Sequence, residues 1–359
     1  MMRKYRTIGF VCGVGVLGMS ACAAGKPSAA PPNGAAAQYS TGGAQVYGGV
    51  PAYDSWLSQY AYPYPVSVFE PWVQGRQLVM AYMDVQPQLP NGQTVVLMHG
   101  KNFSGAYWSR TAQALSTQGY RVIIPDQIGF GKSAKPIDIQ YSFHQLAHTT
   151  RELLEHLGVS RVTVVGHSMG GMLAARFALM FPALTRQLVL VNPLGLEDYR
   201  SQLPYRPIEE RAQQELAATP ESIRQYMAHN YFDGQWKPEY EELVSIQAGW
   251  AVGPDRQYLA RVSALTYDMI YTQPVVRQFP EVRVPTLLVI GQRDRTALDK
   301  SLVAEDVAQS LGDYPRLGKL AAEARPEAEL VEFEAVGHVP QYEAFEAWMQ
   351  ALSTFLAKP

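Results

Sequence analysis

Gly166-His167-Ser168-Met169-Gly170 lies where an apolar β-branched run, Val162-Thr163-Val164-Val165, gives way to small and apolar residues running to Met180 and stopped by Pro182. The first run reads as a buried strand and the second as a helix. A G-x-S-x-G turn between strand and helix holds its serine in strained backbone geometry with the hydroxyl exposed. The two glycines are needed because side chains there would collide across so tight a turn. Five residues of this pattern carry little information alone, and the strand-turn-helix setting is what makes them a nucleophile candidate.

A serine hydroxyl attacks only when a base takes its proton and a third group orients that base. The run Pro285-Thr286-Leu287-Leu288-Val289-Ile290 is followed by Gly291-Gln292-Arg293-Asp294, and Glu329-Leu330-Val331-Glu332-Phe333 leads to Gly337-His338. Both candidates fall just past the end of a strand, the edge at which open α/β sheets carry their chemistry. The assignment is Ser168 as nucleophile, His338 as general base and then acid, and Asp294 as the orienting carboxylate. Asp198 and Glu197, after the strand at 187–191, are alternative acids, and Asp299 is a further rival. The oxyanion of an acyl-transfer intermediate needs backbone donors. These are the N–H of Met169, directly after the serine, and that of Lys101, in the loop His99-Gly100-Lys101-Asn102-Phe103-Ser104-Gly105 after the strand at 94–98. His99 is read as a structural partner of that loop. The Lys101 side chain is expected to be solvated, with attraction of an acidic substrate group as its other reading. The chemistry requires no metal and no organic cofactor.

These features resemble the serine hydrolases of the α/β-hydrolase superfamily over roughly residues 60 to 359. The matching segments are the His99-Gly100 loop, Pro125-Asp126-Gln127-Ile128-Gly129-Phe130-Gly131-Lys132-Ser133, the Ser168 turn, Gly291-Gln292-Arg293-Asp294 and Gly337-His338. The resemblance implies a carboxylesterase- or lipase-like enzyme acting through an acyl-enzyme. Carbon–carbon bond hydrolases of diketone-like substrates and cofactor-free perhydrolases are similar, and the alternatives to ester hydrolysis are carbon–carbon cleavage of a diketone-like substrate by the same residues and a noncatalytic envelope-binding protein on a hydrolase scaffold. Epoxide hydrolases and haloalkane dehalogenases carry aspartate where this chain has Ser168, which disfavours both. The acid loop runs Arg295-Thr296-Ala297-Leu298-Asp299 without the usual proline, and an insertion around Leu311-Gly312-Asp313-Tyr314-Pro315-Arg316-Leu317-Gly318 is expected to reshape the pocket mouth.

The elements that must hold these residues follow an α/β pattern. Strands near 94–98, 120–124, 162–165, 187–191, 285–290 and 329–333 mostly alternate with helical stretches, which predicts a mostly parallel central sheet flanked by helices. Residues 196–275 interrupt it with helix signals alone, such as Thr219 capping Pro220 and Glu221, and read as a helical lid over Ser168. Its aromatics (Tyr226, Tyr231, Phe232, Trp236, Trp250, Tyr258, Tyr267 and Tyr271) divide between lid core and an apolar substrate pocket. The hydrolase core therefore spans 51–195 and 276–359. His144 and His148 are four apart on a predicted helix. Gln145 stands where a zinc protease has glutamate, so this pair reads as a solvated face. Gly13-Val14-Gly15-Val16-Leu17-Gly18 matches a dinucleotide fingerprint without the strand that would give it meaning.

Of 359 residues, 47% are hydrophobic and 17% charged, enough for a sizeable core, and a net charge of −2 gives no reason to expect nucleic acid. Residues 1–21 read as a signal peptide: the basic stretch Met1-Met2-Arg3-Lys4-Tyr5-Arg6, an apolar run too short to span a bilayer, then Met19-Ser20-Ala21-Cys22. The last four resemble a bacterial lipoprotein cleavage site, which makes Cys22 the lipidated first residue and anchors the enzyme in the cell envelope facing the periplasm. The alternative is ordinary cleavage near Ala21-Cys22-Ala23, releasing a soluble periplasmic or secreted protein. The remaining cysteine, Cys12, lies inside the signal, so the folded part has no thiol chemistry. Residues 22–50, rich in Ala, Gly, Pro and Ser, read as a flexible tether. The aromatic stretch after it (Tyr53, Trp56, Tyr60, Tyr62, Tyr64 and Trp72) is expected to pack onto the first strands.

Overall fold

The apolar runs form the middle of an eight-stranded sheet in a computed structural model that describes residues 45–358. The segment read as a signal peptide, Cys22 and most of the segment read as a tether lie outside the described residues. In chain order the strands are β1 (Val66–Phe69), β2 (Met80–Val85), β3 (Thr94–Met98), β4 (Arg121–Pro125), β5 (Val162–His167), β6 (Thr185–Val191), β7 (Thr286–Gly291) and β8 (Glu329–Phe333). Their order across the sheet is β8-β7-β6-β5-β3-β4-β2-β1. From β8 to β4 every pairing is parallel, and β2 and β1 complete one edge antiparallel. The two edge strands carry no clear sequence mark. Met80-Ala81-Tyr82-Met83-Asp84-Val85 is buried at all but Asp84, so it shows neither alternation nor a β-branched run.

Successive side chains of a strand point to opposite faces, so each central strand feeds two cores. Val164, Leu188, Leu190 and Leu288 join one core, with residues of α2 (Phe143–His156) and α3 (Met169–Met180). Val165, Val189, Val191, Leu287 and Val289 join the other, with residues of α1 (Ser109–Thr117) and α11 (Phe345–Leu356). Helix α2 buries Phe143, Leu146, Ala147, Thr150, Leu153 and Leu154, the stripe that its sequence period predicts. His144 and His148 stand on its exposed side, where His148 meets Glu152 at 3.5 Å.

Between β6 and β7 the chain forms four helices, α4 (Ile208–Leu216), α5 (Pro220–Phe232), α6 (Glu241–Ala251) and α7 (Arg256–Thr272). Helix α4 packs on α7 and α5 on α6. The start of α5 is locally encoded: Thr219 accepts from the Ser222 amide, Ser222 reciprocates, and Pro220 occupies the first turn. After β7 come the short α8 (Glu305–Ser310) and α9 (Tyr314–Ala324), then α10 (Pro340–Glu343) beyond β8.

Two expectations about packing are revised. Tyr62 and Tyr64 pack against the core that the first strands feed, while Tyr53 and Tyr60 of the same stretch lie against α6. Tyr53 N–H donates to Gly249 O at 3.1 Å, Trp250 Nε1 to Asp54 O at 3.0 Å, and the Tyr62 hydroxyl to Asp126 Oδ2 at 2.6 Å. Lys135 secures this strap through its ammonium, bonded to Ser55 O at 2.5 Å, while Trp72 stays 68% exposed. The insertion around Leu311–Gly318 does not form the pocket mouth. It buttresses the loop after β6 from behind, with Tyr314 buried and donating to Pro193 O at 3.1 Å and Gly312 N–H donating to Glu197 at 2.9 Å. The reason is composition: Leu311 and Tyr314 carry apolar surface that is buried more favourably against the sheet edge than left at a rim.

Burial in that buttress raises the Glu197 carboxyl to about 7, with the Gly312 amide opposing the shift. Folded protein therefore binds a proton that unfolded chain releases between about pH 4.5 and 7, so stability falls as pH rises through that window. Glu197→Gln, which keeps the acceptor for Gly312, is expected to flatten this fall by about 1–3 kcal/mol. Urea unfolding at pH 5 and pH 8 checks it; an unchanged slope between the two contradicts the assignment.

Candidate active site

The turn at Ser168 has the geometry its glycines imply. Ser168 adopts φ 57° and ψ −121°, in the positive-φ region, and its carbonyl accepts from Gly171 at 2.9 Å and Leu194 at 3.1 Å. A Cβ on Gly170 would stand 2.3 Å from Met98 O, so α3 can begin this close to the end of β3 only with glycine there. The Cβ of Ser168 itself lies 3.2 Å from the Cβ position of Gly100, which sets the loop after β3 beside the serine. Met169 opens α3, so its N–H has no acceptor within the helix. The Lys101 N–H donates to no other group among the described residues.

Asp294 and His338 are brought into direct contact. Both are fully buried, and Nδ1 of His338 meets Asp294 Oδ2 at 2.6 Å. The carboxylate also accepts from Asn192 Nδ2 at 2.6 Å and from the Thr296 amide at 2.8 Å. Nε2 of His338 is buried and makes no hydrogen bond among the described residues, so no bond to the Ser168 hydroxyl is formed in this structure. Bonds of this kind often tighten only when substrate is bound. Ser168 and His338 are nonetheless joined at one remove, because Nε2 of His167 donates to the His338 carbonyl at 2.8 Å. Nδ1 of His167 takes the Tyr107 hydroxyl at 3.0 Å, which makes this ring a neutral spacer. Burial, aided by the neighbouring His338, pushes its pKa well below the ordinary histidine range.

The rival acids are engaged elsewhere. Asp198 pairs with Arg200 at 2.8 Å and Arg277 at 3.3 Å, Glu197 accepts from Gly312, and Asp299 is paired with Arg211 of α4. His99 serves its loop: Nδ1 donates to Gly100 O at 2.9 Å and Nε2 accepts from the Gln127 amide at 3.1 Å.

A cavity of about 650 Å³ opens on Ser168 beneath α4–α7. Tyr226, Tyr231, Trp250 and Tyr267 line it. The other four named from the sequence make their contacts elsewhere: Phe232 and Trp236 against Tyr240, Tyr258 on Lys135 O, and Tyr271 on Leu203 O. The Lys101 side chain is half-buried in the cavity instead of standing free in solvent, which corrects the sequence expectation. It turns into the cavity and donates to Ser263 of α7 at 2.7 Å, because a long stem leaving this loop meets the α7 face before it meets water.

Several site residues escape sequence reasoning. Asn192 holds Asp294 from a backbone with φ 39°, and its Oδ1 accepts from Gly291 at 3.1 Å. An Asn tolerating positive φ directly after a strand is the one local sign available. Tyr231 of α5 accepts the His338 amide on its carbonyl at 2.8 Å, lays its ring 4.6 Å from that imidazole, and takes Asn102 on its hydroxyl at 2.8 Å. Glu343 accepts from Gly337 N–H at 2.7 Å and pairs with Arg293 at 2.5 Å, so the loops carrying Asp294 and His338 are clamped together. Nothing in the sequence marks Glu343, or ties Tyr231 to His338.

The chain matches the alpha/beta hydrolase fold family over residues 93–345. Among solved structures, it is similar to one described as "a probable hydrolytic enzyme" from Pseudomonas aeruginosa PAO1, with 48% identity and a TM-score of 0.85, covering 86% of this chain and 99% of that one. Lipase 1 of Psychrobacter immobilis is 28% identical over 71% of this chain and 74% of its own. A 2-hydroxy-6-oxo-6-phenylhexa-2,4-dienoate hydrolase of Burkholderia cepacia is 26% identical over 74% of this chain and 88% of its own. Sheet order, helical flanks and the family match lead to one conclusion: this chain belongs to the α/β-hydrolase fold family and is a hydrolase.

Proposed function

We propose that the enzyme cleaves carboxylic esters of small to medium, fairly apolar substrates through an acyl-enzyme. The observation that carries this reading is the buried Asp294–His338 pair, whose far ring nitrogen is left without a partner and whose imidazole lies 4.6 Å from the ring of Tyr231, a residue of the cavity that Ser168 lines. In this reading the substrate carbonyl enters beneath the lid, and Nε2 of His338 takes the Ser168 proton as Oγ attacks. Asp294 holds Nδ1–H and stabilises the imidazolium that forms. The Met169 and Lys101 amides receive the oxyanion, and His338 then returns the proton to the departing alcohol. Water repeats the sequence on the acyl-enzyme.

The tyrosine-rich wall supports an apolar substrate part with polar anchoring points. Ser168→Ala is expected to lower turnover of aryl esters by more than about 10⁴-fold while circular dichroism stays unchanged, and a fluorophosphonate is expected to label the wild type only. Folded wild type that resists the probe removes the assignment. Faster turnover of a vinylogous diketone than of aryl esters would redirect it to carbon–carbon cleavage.

Asn192 is assigned as a positioning residue for Asp294, since it does not line the cavity. Asn192→Leu removes a hydrogen bond to a buried carboxylate, worth about 1.5–3 kcal/mol. The expected result is a fall of about 10–100-fold in kcat with KM nearly constant; a change confined to KM contradicts the role.

We further propose export and lipid anchoring through Cys22, on the motif at 19–22 and the tether that follows. Cys22→Ser is expected to move the protein from the membrane to the soluble fraction and to abolish incorporation of labelled fatty acid. Unchanged fractionation without label in the wild type favours ordinary secretion.

A further inference from the structure

The cavity over Ser168 is electropositive in a chain whose net charge is −2: four basic side chains line it (Lys101, Arg211, Arg256 and Lys300) against two acidic ones (Glu215 and Asp299). Their placement differs in kind. Arg211 is paired with Asp299 and stacked over the Tyr267 ring at 3.5 Å. Arg256 is exposed and donates to Leu216 O at 3.1 Å, and Lys300 donates to Arg295 O at 3.1 Å. Lys101 is next to Gly100, the residue that touches Ser168, and its ammonium is carried inside the cavity.

An ammonium has three donors. Lys101 spends one on Ser263 Oγ at 2.7 Å, Ser263 passes its own proton to Glu215 Oε2 at 2.8 Å, and Nζ makes no second hydrogen bond among the described residues. Glu215 thus balances the charge at one remove without occupying the ammonium's remaining donors. The ammonium also stands over the Tyr267 ring, 5.8 Å from its centroid. Burial lowers the Lys101 pKa and Glu215 opposes that shift, so an anion arriving in the cavity would meet a positive charge with donors to offer. Lys101 and Ser168 line the same cavity, and an anion bound there offsets part of the desolvation cost of a partly buried cation.

We propose that the Lys101 ammonium is an anion-binding subsite, and that the preferred substrates of this site are esters that also carry a carboxylate. The assignment rests on the acyl-transfer reading of Ser168 and narrows its substrate class. The carboxylate takes the two remaining Lys101 donors while the ester carbonyl sits at Ser168, so one residue serves both ends: its amide the oxyanion, its side chain the remote charge. Binding energy from the non-reacting end then orients the reacting one.

The test compares kcat/KM for two matched pairs, each measured as an acid-to-neutral ratio. One pair is mono-4-nitrophenyl adipate against its methyl ester, and the other is 3-acetoxybenzoate against methyl 3-acetoxybenzoate. The expected result is a ratio above one for at least one pair in the wild type. Lys101→Met is expected to lower that ratio by about tenfold or more, whatever happens to the absolute rates, and Lys101→Arg to retain it. Glu215→Gln, which removes the balancing charge, is expected to raise it, and this arm stands even if Lys101→Met fails to fold. Turnover of all four esters with ratios at or below one, or ratios indifferent to these substitutions, overturns the subsite alone. No turnover of any ester removes the acyl-transfer reading as well.

Discussion

The close approach of the first turn of α3 to the end of β3 is the constraint on which the rest of the site depends. Gly170 presses on Met98 O at a distance no side chain permits, and Gly166 faces Gly170 across the same turn, where its own Cβ would meet Gly170 O at 2.1 Å. The chain must leave β5 at an acute angle, and Ser168 absorbs the reversal with a positive φ. Such a conformation costs of order 1–3 kcal/mol and persists only where its surroundings over-determine it. Here they do: parallel strands on both sides, a buried helix behind, and two amides bonded to the Ser168 carbonyl. The same approach sets the loop after β3 against the serine, which is why Lys101 of that loop and Ser168 line one cavity.

Behind the serine lies a buried polar network that leaves little unsatisfied. Asp294 accepts from His338, Asn192 and Thr296; His167 bridges Tyr107 to the His338 carbonyl; Tyr231 receives the His338 amide. Buried polar groups of this kind rigidify a site when every member is paired, and they are costly when one is not. The unpaired Nε2 of His338 stands out for that reason. The Arg293–Glu343 pair works from the outside on the same loops, and burial raises the Glu343 carboxyl to about 7 despite Gly337 and Arg293.

The helical insertion is part of the site's construction as well as its cover. Tyr231, Ser263 and Glu215 come from three different helices of it and reach the His338 backbone and the Lys101 ammonium. The strap at 53–64, bound to α6 and to the loop after β4, holds the insertion from its far side. Movement of these helices would therefore be felt at both the imidazole and the loop after β3, through hydrogen bonds.

What the sequence determined by itself is everything written over a short span: the six parallel strands, the α2 stripe, the Thr219 cap, the Ser168 turn, and the placement of Asp294 and His338 just beyond strand ends. Each of these depends on residues within one or two turns of each other, so type and spacing suffice. The tertiary structure alone decided what long-range packing decides. It joined Asn192 to Asp294 across 102 positions and Lys101 to Ser263 across 162, turned the aromatic strap onto α6, and set the 311–318 insertion behind the site instead of at its mouth. Such contacts leave no local period or motif, because which surfaces meet is fixed by how the whole chain closes over the sheet.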